Sequence, residues 1–145
     1  MKAVVQRVKR TILTVDGQLI SEIPFGLTVF LGVQRGDTRE QAEYLMQKIA
    51  NLRVFEDENG KMNLSVKEVG GEVLLVSQFT LLGDTSHGNR PSFTLAERPE
   101  LAQPLYEYAI TALSSHGVVV KGGVFGADMQ IAQANDGPVT ILLER

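Results

Sequence analysis

Cysteine and tryptophan are absent from this 145-residue chain, and histidine occurs only twice. Without cysteine there is no thiol nucleophile, thiolate zinc site, iron–sulfur cluster or disulfide framework. His87 and His116 are the only imidazoles, which argues against a His-rich metal site and leaves few candidates for an ordinary general base. No metal or other cofactor is expected. Long apolar runs are missing too, since no stretch approaches the ~20 residues of a membrane span. The start, MKAVVQRVKR, alternates apolar and charged residues where a signal peptide carries an apolar core. The expectation is a soluble, cytoplasmic protein without a membrane partner. A strong charge of either sign is also lacking: 14 Lys and Arg stand against 17 Asp and Glu, a formal net charge of −3. Broad, sequence-blind nucleic-acid binding goes with a basic domain, so DNA is not expected as a partner, although a local basic surface is compatible with these counts.

What is present is 43% hydrophobic residues, enough for one sizeable core without staples. Residues 1–145 read as a single domain. Val4–Val8 and Thr11–Val15 are predicted strands, and Asp16-Gly17 supplies a hairpin turn into a strand over Gln18–Ile23. Within the first strand, alternation places Arg7 and Lys9 on the side of Val5, opposite Val4, Val8 and Arg10. The plain reading is a solvated basic edge that discourages aggregation. Leu27–Val33 is almost continuously apolar, as in a central strand covered on both faces. Asp37 or Thr38 can cap a helix from about Thr38 to Asn51, whose apolar positions are Ala42, Leu45, Met46, Ile49 and Leu52. Short strands at Arg53–Phe55 and Met62–Val66 flank an acidic turn without calcium-loop spacing. Glu72–Leu81 is a second buried strand whose end turns polar, followed by an exposed loop from Leu82 to Phe93. A second helix starts near Pro99, with Leu101, Leu105, Tyr108, Ala109, Ala112 and Leu113 as its apolar stripe. Val118–Val120, Gln130–Ala134 and Pro138–Leu143 complete the strands.

Four places carry potential chemistry. Ser77, Gln78, Phe79 and Thr80 stand at the exit of the second buried strand, where polar groups can bind a carbonyl or ribose and Phe79 offers a flat apolar face; ordinary packing is the competing account. Thr80 is a hydroxyl nucleophile only if a base adjoins it. Asn135-Asp136-Gly137-Pro138 reads as a turn, although a cis X-Pro bond there would aim two neighbouring carbonyls one way. Lys121–Met129 is Gly-rich but is neither a P-loop nor a dinucleotide fingerprint; Phe125 and Met129 can pack on a base or simply join the core. His116, in the last turn of the second helix, suits a capping role, and His87 lies in the loop with Arg90.

MKAVVQRV at the start, LLVSQFTL (74–81), GNRPSF (88–93), GVFGADMQ (123–130) and NDGPVT (135–140) together resemble the D-aminoacyl-tRNA deacylase family along the full chain. The resemblance implies an α/β fold, a single-domain three-layer β/β/α or barrel-like mixed sheet with two main helices. It implies a homodimer with active sites at the interface, the acceptor end of aminoacyl-tRNA as partner, and hydrolysis of the ester joining a D-amino acid to tRNA, with glycyl-tRNA as an achiral substrate. The family's Ser-Gln-Phe-Thr block falls on Ser77, Gln78, Phe79 and Thr80, and its Gly-cis-Pro pair on Gly137 and Pro138. That pair projects into the partner's pocket, where its carbonyls take the substrate amino group and leave no room for an L side chain, which is specificity by rejection. Arg7 matches the arginine that orients this loop. The family mechanism has water attack assisted by the terminal ribose hydroxyl, with backbone donors at Gln78 and Phe79 stabilising the oxyanion; Thr80 as a covalent nucleophile is the alternative. After SQFTL the chain departs from the family's aromatic and more basic loop, which bears on its grip on tRNA. A non-catalytic dimeric RNA-binding module and a hydrolase of other acyl esters are the competing classes.

Overall fold

The computed structural model describes all residues from Met1 to Arg145. In chain order these are β1 (Lys2–Val15), β2 (Gln18–Ile23), β3 (Gly26–Gly32), α1 (Arg39–Ala50), β4 (Phe55–Glu56), β5 (Met62–Leu64), β6 (Glu72–Ser77), a 3₁₀ turn (Phe79–Leu82), α2 (Pro99–Ser114), β7 (Val119–Gly122) and β8 (Gln130–Glu144). The β-branched residues of β1 suit a pleated surface, and its turn into β2 has positive φ at both Asp16 (50°) and Gly17 (76°), the pairing a type I′ hairpin demands. β2 and β3 follow one another along one edge of β1, with Thr11 opposite Ile23 and Val8 opposite Gly26. β8 runs antiparallel along the other edge. β3, β6 and β7 are parallel, and the two crossovers that parallel pairing requires carry α1 and α2.

The sheet order is β2-β1-β3-β6-β7 with β8 on β1. Its ends curl towards each other: Ser21 Oγ donates to Gly122 O at 2.7 Å and Lys121 Nζ to Glu22 O at 2.6 Å, linking β2 to β7. The result is an α/β fold with two main helices on one face of a mixed, nearly barrel-shaped sheet. Side-chain alternation divides the interior. Leu27, Val29 and Leu31 of β3 and Val73 and Leu75 of β6 face the helices and meet Leu45, Met46, Ile49, Leu105, Ala109 and Leu113. Leu74 and Val76 point inside the curl, with Val8, Leu13 and Ile23. Both faces of β3 and β6 are therefore covered, which accounts for their unbroken apolar runs. A buried hydroxyl pair, Thr11 Oγ1 and Thr28 Oγ1 at 2.7 Å, satisfies the polar groups in this inner layer.

Gly26 shows why β3 begins where it does. Its φ is 142°, and a Cβ there would stand 1.9 Å from Glu72 O, the residue it pairs with across the parallel ladder. Thr38 caps α1: the Glu40 N–H donates to Thr38 Oγ1 at 3.3 Å and the Thr38 N–H to Gln41 Oε1 at 2.8 Å, a capping box.

Several expected boundaries move. The two predicted N-terminal strands are one strand, because β1 has partners along its whole length. Gln130–Ala134 and Pro138–Leu143 are likewise one strand, β8, and Asn135–Pro138 is an irregularity inside it rather than a turn between strands. The predicted strand over Glu72–Leu81 ends at Ser77. In α2 the buried stripe is Ala102, Leu105, Tyr106, Ala109 and Leu113, while Leu101 is 62% exposed; packing against α1 rotates the buried face by about one residue from the predicted one. His116 lies beyond the helix, whose C-cap is Ser115. Arg7 is not solvated. It is buried, because alternation places it with Ala3 and Val5 on the core-facing side of β1, where its guanidinium reaches Val54 O.

Candidate functional site

Parallel β/α units leave a crevice beyond the carboxyl ends of their strands, where the chain diverges into loops. Here that crevice is a pocket of ≈ 590 Å³ beyond β3, β6 and β7. One wall is the end of β6 with Ser77, Gln78 and Phe79, and the opposite wall is the Phe125–Met129 loop. Phe93, Ala96, Glu97, Pro99 and Ala102 close the helix side.

The wall at Ser77 is shaped by a change of backbone state. Ser77 is the last residue of β6 to face β3, opposite Leu31. The Gln78 N–H then adds one more bond to that ladder, to Leu31 O at 2.8 Å. Beyond it the chain turns into the 3₁₀ helix so that Leu82 can bury itself over Gly32, where any Cβ would lie 2.4 Å from Leu82 Cδ2. A helix start leaves its first N–H groups without intrahelical acceptors, and no side chain caps this one. The amides of Phe79 and Thr80 are thus the donors aimed out of the turn. The expected Gln78 donor is a correction, since its N–H is committed to Leu31.

Phe79 is 55% exposed and meets Phe93 edge to face, with ring centroids 5.1 Å apart and planes at 71°, the geometry that aromatic quadrupoles favour. Thr80 points elsewhere. Its Oγ1 accepts the Gln78 Nε2 amide at 2.7 Å on the exposed surface, so it faces a hydrogen-bond donor rather than a base that could activate it.

The pocket is electrostatically one-sided. Glu97 and Asp128 are its only ionisable lining residues. The Glu97 carboxylate accepts the Arg98 N–H at 2.8 Å and the Gly36 N–H at 3.2 Å, and these amides hold its carboxyl below the usual carboxylate range. Nothing in the lining would attract a phosphate, whereas a neutral or cationic group enters without penalty.

Of the residues singled out from sequence, Ser77, Gln78, Phe79, Phe125 and Met129 converge on this pocket, and Thr80, Arg7, Gly137 and Pro138 do not. Gly137 and Pro138 belong to the β8 irregularity. Their peptide bond is cis, and Gly137 has φ 121°, where a Cβ would lie 3.2 Å from Arg7 Nη2. Arg7 holds this segment from below: Nη1 donates to Val54 O at 2.6 Å, and Nε lies 3.2 Å from Asp136 O and 3.3 Å from Asp136 Oδ2. Beside it, Gln133 Nε2 donates to Gln6 Oε1 at 2.7 Å and to Asn135 Oδ1 at 2.8 Å. His87 pairs only with Ser86, Nδ1 to Oγ at 2.8 Å. Sequence reasoning missed Phe93, Ala96, Glu97, Pro99 and Ala102. GNRPSF marked the Phe93 neighbourhood, but only the folded contact with Phe79 assigns that ring to the wall.

No helix is long and apolar enough to cross a membrane. Comparison with known proteins places the whole chain. Residues 4–144 match the family model described as D-Tyr-tRNA(Tyr) deacylase. A D-aminoacyl-tRNA deacylase from Koribacter versatilis is 56% identical over 99% of this chain and 97% of its own. One from Syntrophomonas wolfei is 52% identical, with the same two coverages. A solved structure titled c-Myc DNA Unwinding Element Binding Protein superposes with a TM-score of 0.94 at 47% identity, over 100% of this chain and 99% of that one. A structure described as a probable eukaryotic D-amino acid tRNA deacylase shares the fold, with a TM-score of 0.84 at 15% identity over 98% of this chain and 97% of that one. With a family model spanning nearly every residue and close relatives matched end to end, the chain belongs to the D-Tyr-tRNA(Tyr) deacylase family.

Proposed function

We propose that the chain, acting as one domain, hydrolyses the ester of D-aminoacyl-tRNA, and of glycyl-tRNA, releasing free amino acid and tRNA. The observation that carries this reading is the uncapped amide of Phe79 in the wall of the pocket, with that of Thr80 next to it, and a lining that holds no histidine. Acyl transfer needs an oxyanion stabiliser above all, and backbone donors supply one without reorganisation. Water is the attacking group, assisted by the terminal ribose hydroxyl of the substrate. The carboxylate-rimmed, cation-free pocket suits the aminoacyl group and terminal nucleoside, with phosphates left outside near His87 and Arg90.

Chiral selection in this reading falls to Gly137 and Pro138, which stand outside their own protomer's pocket and enter a partner's. A homodimer is supported by β8, a strand of 15 residues with none buried and Leu142 73% exposed, whose outer edge has no strand partner. Such an edge is a template for association. Sedimentation should give twice the chain mass, and an active monomer would sink the interface site.

The decisive assay incubates the protein with matched D- and L-aminoacyl-tRNA and with a simple D-amino-acid ester. Cleavage of the D-aminoacyl-tRNA alone is expected; equal cleavage of the L form overturns the reading, binding without release makes the chain an RNA-binding module, and turnover of the simple ester makes it a general esterase. Thr80→Val should keep most turnover, whereas a folded, tRNA-binding, inactive variant would restore Thr80 as nucleophile. One relative's name records binding to a DNA element; duplex DNA is expected not to compete with tRNA here.

A further inference from the structure

The pocket has a hinge point at its floor. β6 and β7 run side by side only as far as Leu75, opposite Gly122, and then separate, one into Ser77–Phe79 and the other into the Phe125–Met129 loop. The hydroxyl of Tyr106, a residue of α2 that is 2% exposed, sits in this fork. It donates to Leu75 O at 2.8 Å and accepts the Gly123 N–H at 3.1 Å. That N–H also reaches Leu75 O, at a longer 3.2 Å. The Tyr106 ring lies against Phe125, centroids 6.0 Å apart at 43°. Gly122 leaves room for the arrangement, because a Cβ there would stand 3.2 Å from the Tyr106 oxygen and 3.0 Å from Ile110 Cδ1.

We propose that Tyr106 is a positioning residue for the deacylase reaction: its hydroxyl pins the last rung between β6 and β7 and so sets the separation of the Ser77–Phe79 wall from the Phe125–Met129 wall. This rests on the deacylase reading above. The hydroxyl touches neither substrate nor the Phe79 and Thr80 amides. Releasing it frees the loop wall, which in the deacylase reading contacts the substrate away from the Phe79 amide, and leaves the oxyanion donors in place. An interaction shared by ground state and transition state appears in KM rather than kcat.

Tyr106→Phe keeps the ring and removes the clamp. Expected are a rise in KM for D-aminoacyl-tRNA of roughly three- to ten-fold, the range for one buried hydrogen bond, a kcat within about two-fold of the wild type, and faster amide exchange confined to residues 123–129. Tyr108→Phe, which loses a surface hydroxyl bonded to Glu43, should change neither. If Tyr106→Phe does not fold, Gly122→Ala takes its place, since its methyl group would stand 3.2 Å from the hydroxyl and 3.0 Å from Ile110 Cδ1 and so crowds the clamp with the ring retained. An unchanged KM, or faster exchange spread over the whole chain with KM unaltered, overturns the proposal. A wild type that releases no amino acid would instead defeat the deacylase reading, and exchange at residues 123–129 would still decide the clamp.

Discussion

Arg7 is the one basic side chain buried in the fold. The alternation that groups it with Val5 is kept in the fold, while its burial depends on Val54 and Asp136, partners distant in sequence. Its neighbours in sequence are alternating and basic, and that pattern describes an exposed edge, as Lys9 and Arg10 indeed are. Buried, the guanidinium spans Val54 O and Asp136, a reach that depends on its planar fork. Arg7→Ala should destabilise the protein by about 3 kcal/mol, somewhat less than for a fully buried pair because Asp136 is a third exposed, at 34%. Arg7→Lys should recover little of it, since an ammonium cannot serve both sides; urea midpoints for the two variants check this. Tyr106 offers a pH signature at the same scale. Burial pushes its hydroxyl up from 10.0 to about 12, so ionisation is harder in the folded chain than in the unfolded one. Its contribution to stability is complete below pH 10 and disappears as the pH rises through 12. Unfolding followed between pH 9 and 12 should therefore lose part of its alkaline steepness in Tyr106→Phe.

Secondary-structure elements were legible where local chemistry decides them. The Thr38 cap, the Asp16-Gly17 turn and the apolar spacing of α1 are each complete within a few residues, and the fold kept them. What sequence could not supply were endpoints fixed by partners. The polar turn at SQFT was visible, but where the strand stops was not: it ends at Ser77 because β3 ends and Leu82 needs the space over Gly32. That stop leaves the amides of Phe79 and Thr80 uncapped while the Gln78 N–H stays bonded to Leu31 O, a difference set by strand partners and not by the local motif. Gly26 gives the sharpest test of partner-fixed geometry. Gly26→Ala would drive a methyl group into the backbone of Glu72 at an unfavourable φ, and the parallel ladder would have to part. The variant should be insoluble or should unfold with a loss of about 3 kcal/mol or more, measured by circular dichroism on heating.

For the whole molecule, the modest net charge of −3 and a pocket without cations divide recognition into two regions. Under the proposed function, phosphate contact belongs to the exposed loop that carries His87 and Arg90, and the aminoacyl group to the pocket. Arg90→Glu should weaken tRNA binding and flatten its dependence on salt by about one phosphate contact, leaving the preference for D over L intact. Filter binding at several salt concentrations measures the first, and the two-substrate assay the second. Absent cysteine and scarce histidine, which at first suggest a chain poorly equipped for chemistry, cost such a site nothing.

The pairing of β1 with β8 also governs how the molecule is made. Gln6 and Thr140 bond across 134 positions of sequence, so the first strand has one open edge until the last strand arrives. Closing so long a loop is entropically late. During synthesis β2, β3 and the first helix are available long before β8, so the segment that carries Gly137 and Pro138 can take its place on Arg7 only once nearly the whole chain has been made.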